Sequence, residues 1–342
     1  VVIIDAGKEL VVAETVRKTT DGSNYTATGE NDIIFNSTSS AGLGALVMGT
    51  HNGTNKATVN FYSKSHGAKN SNESVNQFVG TPFNDETNVL YNWYNSWIYE
   101  FTNTSGTPSW ERLHDGDRMT PFHGYCIISA ENEQNPGHMY WQQGTLVASE
   151  DQDLTLAYYN SENTENMFAN SWMAPIKISA LNGNMDGTTG TVYIFNSGSA
   201  NDGDGSKDDG SAGNYSSYTP GTAGSNVIPA MQAFTVYASA AGSLSLDYSA
   251  YVYDPAVAGT TPVANKAPQR TGAADEMKHL KLRVASESGW GDALDIYIRE
   301  DFSYGFELYY DGPKIEGDDL APLLYAVTDD GKMAINCVPD AE

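Results

Sequence analysis

Short strand-like runs separated by turn residues, with helical periodicity almost absent, constrain this chain more than any other feature. The runs recur at Val1–Ile4, Leu10–Val12, Asp32–Phe35, Ala57–Tyr62, Trp97–Phe101, Tyr125–Ser129, Leu154–Tyr159, Thr191–Phe195, Ala233–Tyr237, Leu244–Tyr248, Leu280–Val284, Leu294–Ile298 and Met333–Ile335. Clusters of Gly, Asn, Asp, Ser and Pro lie between them. Aromatic and β-branched side chains pack well on a pleated surface, and Gly and Asn supply tight turns. Many short runs punctuated in this way read as sandwiches or barrels.

The organisation follows from where the runs stop. Residues 199–226 are a Gly/Ser/Asp-rich insertion between two runs, and residues 254–276 hold three prolines without apolar alternation, the mark of a linker. Strand signals resume at His279-Leu-Lys-Leu-Arg-Val. The expected architecture is all-β. A short N-terminal β segment (1–40) leads into two tandem jelly-roll-like β-sandwich modules (41–160 and 161–253). The linker and a partial C-terminal sandwich (277–342) follow.

An internal repeat supports the tandem arrangement. Gln77-Phe-Val-Gly-Thr-Pro-Phe, Trp97-Ile-Tyr-Glu-Phe and Thr120-Pro-Phe-His-Gly-Tyr-Cys-Ile-Ile occur in that order in the first half. Asn166-Met-Phe-Ala-Asn-Ser-Trp-Met, Thr191-Val-Tyr-Ile-Phe and Ile228-Pro-Ala-Met-Gln-Ala-Phe-Thr-Val answer them in the second, and each copy then reaches a Gly-x-Leu turn at Gly144 or Gly242. Order is kept while loop lengths differ, as two copies of one unit would show.

Charge narrows the partners. Lys and Arg number 18 against 43 Asp and Glu, a net charge of −25. Nucleic-acid binding needs cations against phosphates, so it is not expected, and anionic membrane surfaces would repel the chain. No apolar run approaches the ~18 residues of a membrane span, so no membrane insertion is expected. Strand signal begins at Val1, which reads as a processed, exported chain whose leader has been removed. Cys126 and Cys337 sit far apart in apolar runs and read as buried thiols, not as a disulfide framework or zinc site.

Several segments carry a family likeness. Val2-Ile-Ile-Asp-Ala-Gly-Lys-Glu-Leu-Val-Val has the form of two short strands about a glycine turn. Gly44-Ala-Leu-Val, Ala57-Thr-Val-Asn-Phe-Tyr and Phe78-Val-Gly-Thr-Pro-Phe run on to a proline–aromatic turn. Val192-Tyr-Ile-Phe-Asn precedes Ile228-Pro-Ala-Met-Gln-Ala-Phe-Thr-Val, and Leu280-Lys-Leu-Arg-Val opens the series through Asp295-Ile-Tyr-Ile, Gly305-Phe-Glu-Leu-Tyr-Tyr-Asp-Gly-Pro-Lys and Met333-Ala-Ile-Asn. In these motifs the chain resembles the secreted, adhesin-like surface proteins of Bacteroidetes, built from β-helical rungs and β-sandwich modules. The resemblance implies a short β-helix-like, rung-like form for residues 1–40, export, commonly by the type IX route, and a last module that continues past Glu342. It carries over no catalytic residue, because the motifs are turn and packing features.

The search for chemistry returns little. Carboxylates are so abundant that a glycosidase pair could be chosen almost anywhere, which leaves none distinguished. Asp292, Asp295, Asp311, Asp318 and Asp319 are open to two readings, calcium ligands or solvated acids. No nucleophile elbow, phosphate-binding loop or dinucleotide fingerprint occurs. His51, His66, His114, His123, His138 and His279 make no metal-ligand spacing. His123 and Cys126 stand three apart, which on a strand places them on opposite faces. The aromatic group Tyr91, Trp93, Tyr94, Trp97, Tyr99, Trp110 and Trp141 has two readings, a sandwich core or a sugar-stacking platform. The acidic stretch from Asp202 to Asp209 offers Asp202, Asp204, Ser206 and Asp208 as alternating oxygen ligands, which suits calcium. Lys207 and Gly213 break the EF-hand pattern, so the alternatives are a looser calcium loop and a solvated insertion. Sequons such as Asn24-Tyr-Thr and Asn52-Gly-Thr follow from composition alone. The expectation is a non-enzymatic, extracellular cell-surface protein for adhesion or fibre assembly. Its partners would be surface glycans or proteins, or its own β edges. The alternative is a carbohydrate-binding module of a larger glycan-degrading protein.

Overall fold

A computed structural model of the chain describes residues 2–12, 29, 32–39, 41–48, 55–65, 76–84, 93, 95–103, 106–129, 138–159, 164–196, 214–248, 277–285, 291–316 and 322–340. Regular structure there is almost entirely strand, so the protein is all-β, with one 3-10 turn at Ile178–Leu181. The first strands are β1 (Val2–Ile4), β2 (Glu9–Val12), β3 (Ile33–Asn36), β4 (Ala45–Met48) and β5 (Lys56–Ser63). Next come β6 (Gln77–Val79), β7 (Ser96–Thr102), β8 (Ser109–Arg112), β9 (Tyr125–Ser129) and β10 (His138–Thr145). The second half holds β11 (Gln152–Thr155), β12 (Glu165–Ala169), β13 (Ile176–Lys177), β14 (Val192–Asn196), β15 (Asn214–Tyr218), β16 (Val227–Ile228), β17 (Ala233–Tyr237) and β18 (Ser243–Leu246). The C-terminal strands are β19 (Lys278–Ala285), β20 (Gly291–Ile298), β21 (Gly312–Pro313), β22 (Ala326–Thr328) and β23 (Gly331–Val338).

The chain starts as a stack of parallel rungs. β1 pairs β3 and β3 pairs β5, all parallel, while β2 pairs β4 in parallel beside them. The bend at Asp5–Lys8 turns β1 into β2, and Gly7 takes a left-handed φ of 66° there. The stack does not stop at residue 40: β5 extends it, and β10 closes its far side antiparallel to β5, giving the order β1-β3-β5-β10.

The sequence repeat is a structural repeat. One four-stranded sheet has the order β6-β9-β7-β8 and another β12-β17-β14-β15, strand for strand the same. Registers agree too: Tyr99 faces Cys126 and Tyr193 faces Thr235, while Phe101 faces Trp110 and Phe195 faces Tyr215. The residues leading into the matching strands, Phe122 and Met231, are both left-handed, with φ of 64° and 61°. Asn214–Tyr218, which composition places within the 199–226 insertion, is instead the outer strand of the second copy.

Alternation along these strands stacks the sheets in layers. Ile98, Tyr125 and Ile127 point from the β6–β9 sheet into a core shared with Phe35, Val59, Phe61 and Tyr140 of the rung sheet. Phe78 and Cys126 point the other way, against Met167, Ala169 and Ala233 of the second copy. Phe168, Val192, Phe234 and Val236 then face a third core with Trp172, Ile176, Ile228, Leu244 and Leu246. Backbone bonds across the middle layer come as an exchanged pair: Gly80 N–H to Met231 O (2.9 Å) and Ala169 N–H to Phe122 O (3.0 Å). Reciprocal contacts of this kind are what a two-fold relation between equal units produces. The C-terminal sheet, β19-β20-β23-β21 with β22 on β23, rests against the turn after β15. There Gly221 N–H reaches Tyr309 O (2.8 Å), Thr219 Oγ1 donates to Tyr310 O (2.9 Å), and Tyr193 OH donates to Pro313 O (3.0 Å).

Candidate functional site

The rung sheet has one buried face and one uncovered face. In β5, Ala57, Val59, Phe61 and Ser63 point inward, so Lys56, Thr58, Asn60 and Tyr62 point out. In β10, Tyr140 goes inward, against the Trp93 ring (centroids 4.9 Å apart) and the Ser96 hydroxyl, and Gln142 follows it. With a period of two, Met139, Trp141 and Gln143 must then face outward. Met139 is 44% exposed and Trp141 47%.

Register sets these side chains in rows across the sheet. Asn36 lies beside Asn60, and Asn60 beside Trp141. Tyr62 lies beside Met139, and Ile34 joins the exposed Ile3 to Thr58 and Gln143. Asn60 Nδ2 donates to Asn36 Oδ1 (2.8 Å), and Gln143 Nε2 donates to Thr58 Oγ1 (3.0 Å), covering that hydroxyl. Ser37 pins the row from below: its hydroxyl donates to Asn60 O (2.9 Å) and accepts from Tyr62 N–H (2.6 Å). None of the outward positions of these four strands carries a carboxylate, although the chain holds 43 Asp and Glu. Lys56, at one end, is their sole charge.

The aromatic residues singled out in the sequence divide between the two readings. Trp93 is buried, and Tyr99 packs in the middle layer. Trp110 is 39% exposed but leans on Phe78 and Phe101, at ring separations of 5.2 and 5.3 Å. Trp97 and Trp141 are open, on different sheets. Tyr91 and Tyr94 lie outside the described residues. Sequence reasoning missed the amides: Asn36, Asn60 and Gln143 are outward only through pairing with strands far along the chain.

The other candidates resolve into local structure. Asp202, Asp204, Ser206 and Asp208 lie outside the described residues, as do Asp318 and Asp319. Asp292 and Lys314 form a buried ion pair at 2.6 Å, and Asp292 also accepts from Leu324 N–H. Asp295 pairs with His279 (2.6 Å) and Lys281 (2.7 Å), and His279 stacks on Tyr297. The carboxylate of Asp311 accepts from the backbone of Cys337 and Glu307, a tie within the C-terminal unit. His123 turns to Glu100 at 3.2 Å, whereas Cys126 is sunk in the middle layer, where burial pushes its thiol up to about 12. A thiol so raised is no nucleophile at neutral pH. Among the described residues, no group of three or more His, Cys, Asp or Glu is placed to hold a metal ion, and no helix is long and apolar enough to cross a membrane.

The chain matches no known protein-family model, no curated protein and no solved structure. Function must be argued from the face itself.

Proposed function

We propose that this chain is a non-catalytic cell-surface protein of extracellular location that works by adhesion or structural assembly. The observation that carries the reading is the uncovered outer face of the rung sheet, where Ile3, Met139 and Trp141 stand exposed beside a row of amides. Apolar side chains set among hydrogen-bonding groups on a rigid sheet suit reversible binding, in which a few aromatic anchors supply most of the energy. The resemblance of several motifs to those of Bacteroidetes adhesin-like proteins points the same way, and the net charge of −25 keeps a displayed protein soluble. Self-association through strand edges is the structural form of this reading. β8 is an outer strand with all four residues exposed, and β19 is an eight-residue edge strand.

Beads coated with the protein test it. Attachment to mucin and to epithelial cell layers above albumin-coated controls is expected. Attachment no greater than those controls, combined with strictly monomeric behaviour at high concentration, overturns the reading.

A further inference from the structure

We infer that the outer face of the rung sheet is a binding site for neutral polysaccharide, with Trp141 as the stacking ring and the Asn36–Asn60 pair as the hydroxyl reader. This deepens the adhesion reading and rests on it.

The amide pair fixes the ligand's hydrogen-bonding pattern. Each amide carries one acceptor oxygen and one NH2 group. The bond from Asn60 Nδ2 to Asn36 Oδ1 uses one of each and leaves a donor group on Asn36 beside an acceptor on Asn60. Whichever way the two amides are turned together, one donor group and one acceptor remain side by side. Two neighbouring hydroxyls on a sugar ring complement that arrangement: one accepts the N–H while the other donates to the carbonyl. A phosphate or carboxylate, all acceptor, would leave the amide oxygen facing like charge.

The rings fix the other half. The apolar face of a pyranose presents C–H groups with slight positive character, and an aromatic face is negative, so the two stack. Trp141 stands one strand spacing from Asn60 and two from Asn36, a reach of about 10 Å. That is the scale of a disaccharide, not of a single sugar, so a chain is the natural occupant. Tyr62 and Met139 extend the apolar path along the next row.

Charge decides between neutral and acidic chains. With no carboxylate among the outward positions, the face has no means of holding a calcium bridge to a uronate. Lys56 alone cannot offset the repulsion between an anionic polymer and a chain of net charge −25.

Affinity electrophoresis of the whole chain through gels containing a β-glucan, a mannan, a xylan or polygalacturonate tests the assignment. At least one neutral gel should retard the protein, equally at low and high salt, and polygalacturonate should not. Trp141→Ala should weaken the retardation about tenfold or more, as loss of a stacking ring does at other binding sites. Asn60→Asp, whose carboxylate would engage the Asn36 NH2 and leave only acceptors facing the ligand, should weaken it as well, and both variants should keep the wild-type thermal midpoint. Should one of them fail to fold, the other decides. Wild-type retardation in a folded variant, retardation by polygalacturonate alone, or no retardation in any neutral gel overturns the assignment. Bead attachment separates the two readings. Attachment with no retardation in any neutral gel leaves adhesion standing and removes the polysaccharide site. If wild-type beads do not attach and the protein stays strictly monomeric, the adhesion reading falls whatever the gels show.

Discussion

Glu165 opens β12 half-buried near Tyr215 and Tyr237, and burial holds its carboxyl above the ordinary value of 4.5. Both phenols are raised by burial as well, with the Glu165 charge adding to the effect. A raised carboxyl pKa means the folded state binds its proton more tightly than the unfolded chain does. Stability from this group is therefore greatest below 4.5 and declines as pH climbs from there through the folded value. Glu165→Gln should raise the urea midpoint at neutral pH and lose that advantage in acid, which paired denaturation curves will show. An unchanged midpoint at neutral pH would mean the carboxylate is adequately solvated where it stands. The sequence is least legible at this scale. His138-Met-Tyr-Trp-Gln-Gln offers large side chains to both faces of its strand, so alternation alone cannot say that Tyr140 is buried and Trp141 open. The choice falls to Trp93 and Ser96, which receive Tyr140 from another part of the chain.

Among elements, the repeated strands were the most legible, because each carries a buried alternation and a fixed turn chemistry. Shorter polar strands were not. Asn-Tyr-Ser-Ser-Tyr reads as loop by composition, and it becomes β15 because the edge of β14 offers it a ladder and Phe195 offers Tyr215 a ring, 5.2 Å away. Where the two copies cross, the backbone leaves no room: a Cβ on Gly80 would stand 2.3 Å from the Cβ of Ala169, its counterpart in the repeat. Gly80→Ala should therefore cost about 1–3 kcal/mol through overpacking. Gly116 serves as the contrast, since its φ of 90° faces open space. There, alanine meets only the backbone penalty, about 1 kcal/mol. Urea titrations of the two variants measure the difference, and equal losses would show that the crossing can give way.

For the whole molecule, the all-β class was readable from pattern alone, but the way the cores interlock was not. The core beneath the rung sheet includes Met173 and Met231 from the second half, and the far core includes Val47, Phe122 and Val147 from the first. Such exchange needs contacts between residues more than a hundred positions apart, which no local signal encodes. Each half alone would expose the partner's seat in its core, so residues 41–160 or 161–253 produced singly should fail to fold. Calorimetry of residues 1–253 should then show one cooperative transition. Two resolved transitions would mean that each copy is self-sufficient.

The turn after each outer strand has the same form in both copies: Asp117 N–H returns to His114 O (3.1 Å), and Thr222 N–H returns to Thr219 O (3.0 Å). Only the second supports the C-terminal sheet, and there the ring of Tyr310 comes so near Gly221 that a Cβ would meet it at 2.5 Å. In the first, a Cβ on Gly116 would meet nothing within 4 Å, and charged residues flank it in the chain. The two units thus present equivalent turns, and among the described residues only the second carries the C-terminal sheet. Random substitution at His114–Asp117 should therefore be better tolerated than the same changes at Thr219–Thr222, which would cast the C-terminal sheet loose.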